Sequence, residues 1–172
     1  MAASSPPSQP NRTYTVFRVV RAGIDPLSAV GSERNGGRYH NRGVGGVLYT
    51  SFDKATVVAE VVRGLRARGV DPKNFGPEDW WAYEIRVSIN SLLDLRDDAT
   101  LSDLGVTADA LVGNDTTETR RIGNHVRESG FQALRAPSAA ANDADNLVLF
   151  MDRLPARPEV LSSMAVDLPE VA

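Results

Sequence analysis

The chain has 172 residues, a length that favours one domain able to bury a core without disulfides or structural metals. With 42% hydrophobic residues, 24% charged residues and a formal net charge of −3, its composition is globular, with no basic surplus for binding nucleic acid. The absence of cysteine excludes disulfides, thiolate catalysis and zinc–thiolate sites, and two histidines are too few for most structural metal sites.

The N-terminal part of the sequence predicts two strands separated by a long loop. Residues 1–12 are rich in Ser, Pro and Asn and predict a disordered leader, with neither a basic nor an apolar targeting region. Alternation over 13–20 predicts a strand, and the apolar run 47–51 predicts another. Residues 22–44 contain several glycines and predict a loop; such a long loop inside a compact domain is uncommon unless it has a function.

The segment after the second strand predicts an amphipathic helix. Ser51 or Asp53 can cap its start, and the helix runs to about Arg68, just before Gly69. Its apolar residues recur at helical spacing and predict one buried face, which comprises Val58, Val61, Val62 and Leu65.

The rest of the sequence mixes short strands and helices without a regular βαβ rhythm. The elements predicted in chain order are a strand 80–87, an extended piece 91–95, helical turns 101–112, a helix 117–129, a strand 131–136, a polar loop 137–145 and a strand 147–151. Residues 156–172 predict a loosely held C-terminal tail. We therefore expect a single α+β domain over 13–155, with flanking helices on a mixed or antiparallel sheet, in a cytoplasmic protein without a membrane span.

The most informative pattern is an arginine, a tyrosine and a glutamate spaced eleven residues apart. Arg38 lies within Gly36–His40 and Tyr49 ends Gly45–Tyr49, while Glu60 falls on the predicted helix. Arginine can hold a phosphate through two hydrogen bonds, tyrosine can stack on a ring, and a carboxylate can stabilise positive charge. The pattern indicates a site for an anionic ligand that contains an aromatic ring and a sugar.

Several segments, taken in order, also carry a family resemblance. They are Phe17–Val19, Gly37–Tyr39, Val47–Tyr49, Ala55–Glu60, Pro137–Ser138 and Asn146–Phe150. Together, over residues 14–152, they resemble the RES-domain family of bacterial toxins, which is named for an arginine, a glutamate and a serine. The family usually has Trp-Asn after its arginine. Here Tyr39 and His40 precede Asn41, so either His40 or Asn41 takes the place of that asparagine.

The resemblance implies a fold similar to that of ADP-ribosylating toxins and an activity that consumes NAD as a substrate, without cofactor or metal. Characterised relatives split NAD, some with phosphate as acceptor, and one transfers ADP-ribose to a protein. Most are paired with a helix-turn-helix (Xre-type) antitoxin that blocks the site. The resemblance therefore implies the toxin of a type II toxin–antitoxin pair. From the composition and the lack of a long apolar run we expect no direct nucleic-acid binding and no membrane partner, and whether the protein is a homo-oligomer stays open.

From the residues and the resemblance together we expect two overlapping groups of site residues. The expected catalytic residues are Glu60, Arg38 and Tyr49, and the expected NAD contacts are Arg38, Tyr39, Tyr49, Ser138 and Asn146. His40 and Arg42, close to Arg38 among glycines, are expected contacts for a further phosphate. Structural roles compete for several of these residues, because a serine after proline commonly caps a turn and a tyrosine ending a buried strand is often core.

Three functions are open at this point. The favoured one is NAD degradation, which releases nicotinamide and passes ADP-ribose to phosphate or to water. The alternatives are a mono-ADP-ribosyltransferase that modifies a protein, and a catalytically silent module that binds a nucleotide or a partner. Loss of NAD on incubation with the purified protein, with and without phosphate, discriminates among them.

Overall fold

The structure is a computed structural model that describes residues 10–168 of the chain. The predicted disordered leader, residues 1–12, therefore lies almost entirely outside the described residues. Arg12 already belongs to the first strand.

A mixed sheet forms the centre of the domain, and among residues 10–168 it has seven strands. In chain order they are β1 (Arg12–Arg21), β2 (Val47–Ser51), β3 (Trp80–Ile89), β4 (Leu92–Asp94), β5 (Ala133–Pro137), β6 (Asp145–Phe150) and β7 (Glu159–Ala165). Across the sheet the order is β4-β5-β6-β2-β1-β3-β7. Neighbouring strands are antiparallel except β4 and β5, which are parallel. The predicted α+β class with a mixed sheet is confirmed.

Helices cover one face of this sheet. The helices are α1 (Val30–Asn35), α2 (Lys54–Ala67), α3 (Asp98–Leu104), α4 (Ala108–Val112) and α5 (Thr117–Glu128), with a 3₁₀ turn at Pro72–Asn74. Helices α2 to α5 bury residues on that face, whereas α1 buries none. Because side chains alternate along a strand, Val47 packs with Ile122 and Val126 of α5, whereas Leu48 packs in a separate cluster on the opposite face. That opposite face is covered by loop residues, including Leu27 and Met151.

Helix α2 positions the predicted glutamate. Asp53 is its N-cap, and its carboxylate accepts hydrogen bonds from the backbone N–H and the hydroxyl of Thr56 at 2.8 and 2.6 Å. Val57 and Leu65 are buried with residues of β1 and β3, each contributing roughly 1.5–3 kcal/mol to stability. The cap and these contacts fix the helix so that Glu60, in its second turn, is half-buried.

Two expectations about irregular segments need correction. The loop predicted over 22–44 contains the short helix α1, and the tail predicted beyond 155 contains β7, which pairs with β3 along the edge of the sheet. Helix α1 has no buried residue, and the side chains of β7 are almost all exposed. Neither element therefore shows the apolar periodicity by which a sequence reveals helices and strands.

Candidate active site

The carboxylate of Glu60 joins three parts of the chain that are distant in sequence. Its Oε1 accepts hydrogen bonds from the Ser138 hydroxyl at 2.6 Å, from Asn146 Nδ2 at 2.7 Å and from the Ala139 backbone N–H at 3.2 Å. No donor among residues 10–168 reaches Oε2 within hydrogen-bond distance. Three of the predicted site residues, Glu60, Ser138 and Asn146, are thus brought together, with one carboxylate oxygen held and the other unpaired.

The strands orient Asn146, and a turn orients Ser138. Asn146 lies opposite Ser51 in the antiparallel β2–β6 pair, and the Ser51 hydroxyl donates to Asn146 Oδ1 at 2.6 Å, which leaves Nδ2 directed at Glu60. The Ser138 oxygen accepts from the N–H groups of Ala140 and Ala141 at 3.1 and 3.2 Å. Ser138 therefore caps a turn and donates to Glu60 at the same time, and its expected contact with NAD stays a prediction.

Arg38 lines a cleft of about 750 Å³ beside Glu60. The lining residues are Arg38, Ala59, Val62, Arg63, Arg66, Ala67, Asn114, Thr116, Ala139 and Ala140. Ala59 precedes Glu60 in α2, and Ala139 donates to its carboxylate, so Glu60 is adjacent to residues that line this cleft. Arg38 Nη1 also donates to the carbonyl oxygens of Leu111 and Gly113 at 3.0 and 2.8 Å, at the C-terminal end of α4. Arg38 thus joins α4 to the cleft.

Tyr49 belongs to a buried hydrogen-bond chain. Its hydroxyl accepts from the Tyr39 backbone N–H at 3.0 Å and lies 2.9 Å from His40 Nδ1, while His40 Nε2 lies 2.7 Å from the Ser32 carbonyl oxygen. A carbonyl can only accept, so Nε2 carries the proton and Nδ1 accepts from the tyrosine hydroxyl. Burial lowers the pKa of His40, which favours this neutral form, and burial raises the pKa of Tyr49 to about 12.

Gly37 is required for this chain of hydrogen bonds to form. A Cβ atom at Gly37 would lie 2.4 Å from the Tyr49 hydroxyl oxygen and 2.9 Å from the His40 ring. Only glycine allows the backbone next to Arg38 to approach the tyrosine so closely. The glycine that precedes the arginine in the sequence pattern thus serves packing around Tyr49.

The structure does not bring all the predicted residues to the cleft. His40 is 1% exposed with both ring nitrogens paired, so the expected phosphate contact of His40 is not supported. Arg42 is exposed and does not line the cleft, so it does not converge with Arg38. The ring of Tyr39 is 2% exposed and packs in the core, which leaves no face for stacking on a base. Burial raises the pKa of the Tyr39 hydroxyl, which has no partner among the described residues.

The sequence interpretation also missed residues that shape the site. Arg63 and Arg66 line the cleft one and two turns beyond Glu60 on α2, and their i+3 and i+6 spacing was the available signal. Next to Asn146, the nearly buried carboxylate of Asp145 forms salt bridges with Arg96 and Arg135. The hydrogen bond to Asp145 raises the pKa of Arg135. This ion cluster stabilises the start of β6, from which Asn146 reaches Glu60.

Comparison with known proteins assigns the chain to a family. The model of the RES domain matches residues 15–169. The chain belongs to the RES domain family. A curated member of known sequence, the probable NAD(+) phosphorylase Rv3189 of Mycobacterium tuberculosis, is 34% identical over 128 residues, which are 71% of this chain. This RES domain spans 57% of that relative's length.

A solved structure shares the fold of this RES domain. The M. tuberculosis MbcT–MbcA toxin–antitoxin complex contains a chain that matches with a TM-score of 0.80 at 22% identity, covering 92% of this chain and 87% of that one. At this identity the likeness concerns the fold. Within the described residues, no helix of the RES domain has the length and hydropathy needed to cross a bilayer.

Proposed function

We propose that this RES domain degrades NAD, releasing nicotinamide, and that it is the toxin of a toxin–antitoxin pair. The observation that carries the proposal is the Glu60 carboxylate, which three donors hold through Oε1 beside an arginine-lined cleft. The relative named as a probable NAD(+) phosphorylase and the fold of the toxin–antitoxin structure support the same conclusion.

The chemistry of NAD cleavage suits this arrangement. Breaking the N-glycosidic bond sends its electron pair to nicotinamide, which leaves as a neutral molecule and needs no general acid. The ribose carbon becomes electron-deficient, as in the oxocarbenium-like transition states of glycoside cleavage. A fixed negative charge near that carbon lowers the barrier, because it requires no reorganisation as the positive charge develops. In the proposal Glu60 supplies this charge through Oε2.

The other site residues have positioning and binding roles in the proposal. Ser138 and Asn146 hold the carboxylate of Glu60 at a fixed angle, and Arg38 supplies positive charge for the NAD diphosphate. Tyr49 has a positioning role, because its half-buried hydroxyl accepts a hydrogen bond from the Tyr39 backbone N–H and so holds the segment that carries Arg38. No metal or cofactor is required in this mechanism.

Phosphate is the acceptor that we favour for ADP-ribose. Attack of a phosphate oxygen on the ribose carbon would form a new C–O bond and yield ADP-ribose-1″-phosphate, with water as the competing nucleophile. The name of the curated relative supports phosphorolysis. Binding phosphate beside the reacting carbon would give the nucleophile a high effective concentration.

The partner that we propose is a helix-turn-helix (Xre-type) antitoxin that covers the cleft in the cytoplasm. The family resemblance supports this partner, and the toxin–antitoxin structure that shares the fold supports an antitoxin in general. An occluding partner would keep the cellular NAD pool intact until the partner is degraded.

Incubation of the purified full chain with NAD tests the proposal. We expect NAD to disappear, nicotinamide to form, and the rate to rise with inorganic phosphate, with ADP-ribose-1″-phosphate identified by mass spectrometry. Free ADP-ribose at a rate independent of phosphate would make the reaction a hydrolysis. ADP-ribose attached to protein in cell extract would make the protein a transferase. Unchanged NAD under all these conditions, with a folded protein, would contradict an NAD-degrading activity.

A further inference from the structure

The cleft beside Glu60 is lined by three arginines although the chain as a whole carries a formal net charge of −3. Its lining contains Arg38, Arg63 and Arg66 and no carboxylate among the described residues. Within residues 10–168 neither Arg38 nor Arg63 forms a salt bridge, although both side chains are half-buried. Half-buried guanidinium groups without a counter-ion attract an anion, because they have already lost part of their hydration.

The geometry of α2 sets the distance between this charge and Glu60. Arg63 follows Glu60 by three residues, so the two side chains lie on neighbouring parts of one helix face, about one turn or 5 Å apart along the axis. In NAD the nearer phosphate is separated from the reacting ribose carbon by the ribose ring and one methylene, which is a comparable length. A ribose carbon at Glu60 would therefore bring a phosphate to Arg63.

The neighbours of Arg63 leave it available for such a contact. Its Nη2 donates to Asn114 Oδ1 at 3.2 Å, which holds the guanidinium against the cleft wall opposite α2. Arg38, by contrast, commits Nη1 to two carbonyl oxygens of the α4 end. Arg38 therefore has a structural task in addition to binding. Arg63 has a single neutral partner among the described residues and keeps its remaining donors for a ligand.

We propose that Arg63 is a phosphate-binding residue of this cleft, acting with Arg38. The shared chemistry is a phosphate oxyanion, from either the diphosphate of NAD or an inorganic phosphate acceptor. This inference rests on the proposed function for the identity of the ligand, but the binding site itself is defined by the cleft. Arg63 takes the role of the further phosphate contact that the sequence predicted for His40 and Arg42, neither of which lines the cleft.

The test compares Arg63→Gln with Arg68→Gln in the full-length protein. Glutamine can retain the hydrogen bond to Asn114 while removing the charge. Arg68 is a matched control, because it caps the C-terminal end of the same helix, is exposed, donates to the Gly64 carbonyl oxygen at 2.9 Å and does not line the cleft. Calorimetry with ADP-ribose measures diphosphate binding without turnover. Initial rates at varied NAD and varied inorganic phosphate give the two KM values.

If Arg63 binds the diphosphate, Arg63→Gln weakens ADP-ribose binding and raises the KM for NAD by roughly tenfold to hundredfold, as expected for a lost charge-assisted contact. If it binds the acceptor, the KM for inorganic phosphate rises by that factor while ADP-ribose affinity is kept. Arg63→Lys, which keeps the charge without the planar fork, should fall between.

Other results separate this inference from the proposed function. Equal behaviour of Arg63→Gln and Arg68→Gln in all three measurements would overturn the inference even if the wild type degrades NAD. So would a wild type that binds neither ADP-ribose nor phosphate. A wild type that binds ADP-ribose through Arg63 but leaves NAD intact would support the inference and contradict the proposed function.

Discussion

Replacing Glu60 by glutamine separates its charge from its role in holding the site together. The carbonyl oxygen of the glutamine can accept the same three hydrogen bonds, from Ser138, Ala139 and Asn146, while an amide replaces the unpaired Oε2. The free energy of unfolding should therefore change by no more than about 1–2 kcal/mol, since neutral hydrogen bonds are weaker than charge-assisted ones but avoid the cost of burying a charge. The loss of the charge should lower kcat by about 100- to 1,000-fold, or roughly 2.7–4 kcal/mol.

Glu60→Ala provides the contrast. It leaves three donors without their acceptor, at a cost of about 1–3 kcal/mol for each that water cannot reach, so its melting temperature should fall well below that of Glu60→Gln. The assay measures kcat and KM for NAD together with thermal unfolding of the three proteins. A Glu60→Gln protein that retains wild-type kcat would refute the catalytic assignment. A Glu60→Gln protein that unfolds at the same temperature as Glu60→Ala would refute the inferred separation of charge from hydrogen bonding.

Three further perturbations test the packing, the buried histidine and the cellular effect. Gly123→Ala should lower the free energy of unfolding by at least about 2 kcal/mol, because its Cβ would lie 1.7 Å from the Tyr39 carbonyl oxygen. Gly64→Ala, in an open part of α2, should raise the free energy of unfolding by up to about 1 kcal/mol. Equal changes for the two variants in denaturant unfolding would contradict this packing argument. Burial lowers the pKa of His40 in the folded protein below the ordinary value of 6.5. At a pH between the lowered pKa and the ordinary one, the unfolded state therefore binds more protons, and the free energy of unfolding should fall as the pH drops through this window. His40→Gln should flatten a plot of melting temperature against pH in this window. An unchanged slope would mean that other titrating groups cause the pH dependence. Arg38→Ala should weaken NAD binding by about 1.5–3 kcal/mol and lower stability, because two carbonyl oxygens at the end of α4 lose their donor. The same substitution should relieve growth arrest on expression. Normal growth and normal cellular NAD in cells with abundant wild-type protein would contradict the toxin assignment.

The sequence predicts the regular elements well where burial imposes a period. The strand over 13–20, the helix up to about Arg68 and the strand over 147–151 all lie within a residue or two of the observed elements, because each element buries several apolar side chains in the core. Exposed elements leave no such pattern, which is why α1 and β7 were missed.

In the candidate site, the sequence identifies several residues correctly but does not show where every loop side chain points. The family resemblance selects Glu60, Ser138 and Asn146, which the fold joins directly. The direction in which a loop side chain points depends on contacts far along the chain. His40 is directed inward by Ser32 and Tyr49, so a histidine that reads as a phosphate ligand among glycines becomes part of the core.

The origin of the Glu60 donors has a consequence for the newly made protein. Ribosomes deliver Arg38, Tyr49 and Glu60 in the first 60 residues of the chain, but Ser138 and Asn146 emerge more than 70 residues later. Until then the carboxylate has none of its three fixing donors, and strand β6, which supplies Asn146, is absent from the sheet. If the proposed NAD degradation depends on the held carboxylate, a translating chain is inactive for most of its synthesis, and we expect NAD to remain intact in extracts that hold ribosomes stalled before residue 137. Under the proposed function, toxicity would start only at the end of translation, and an antitoxin already present in the cell would have time to meet each chain as it is completed.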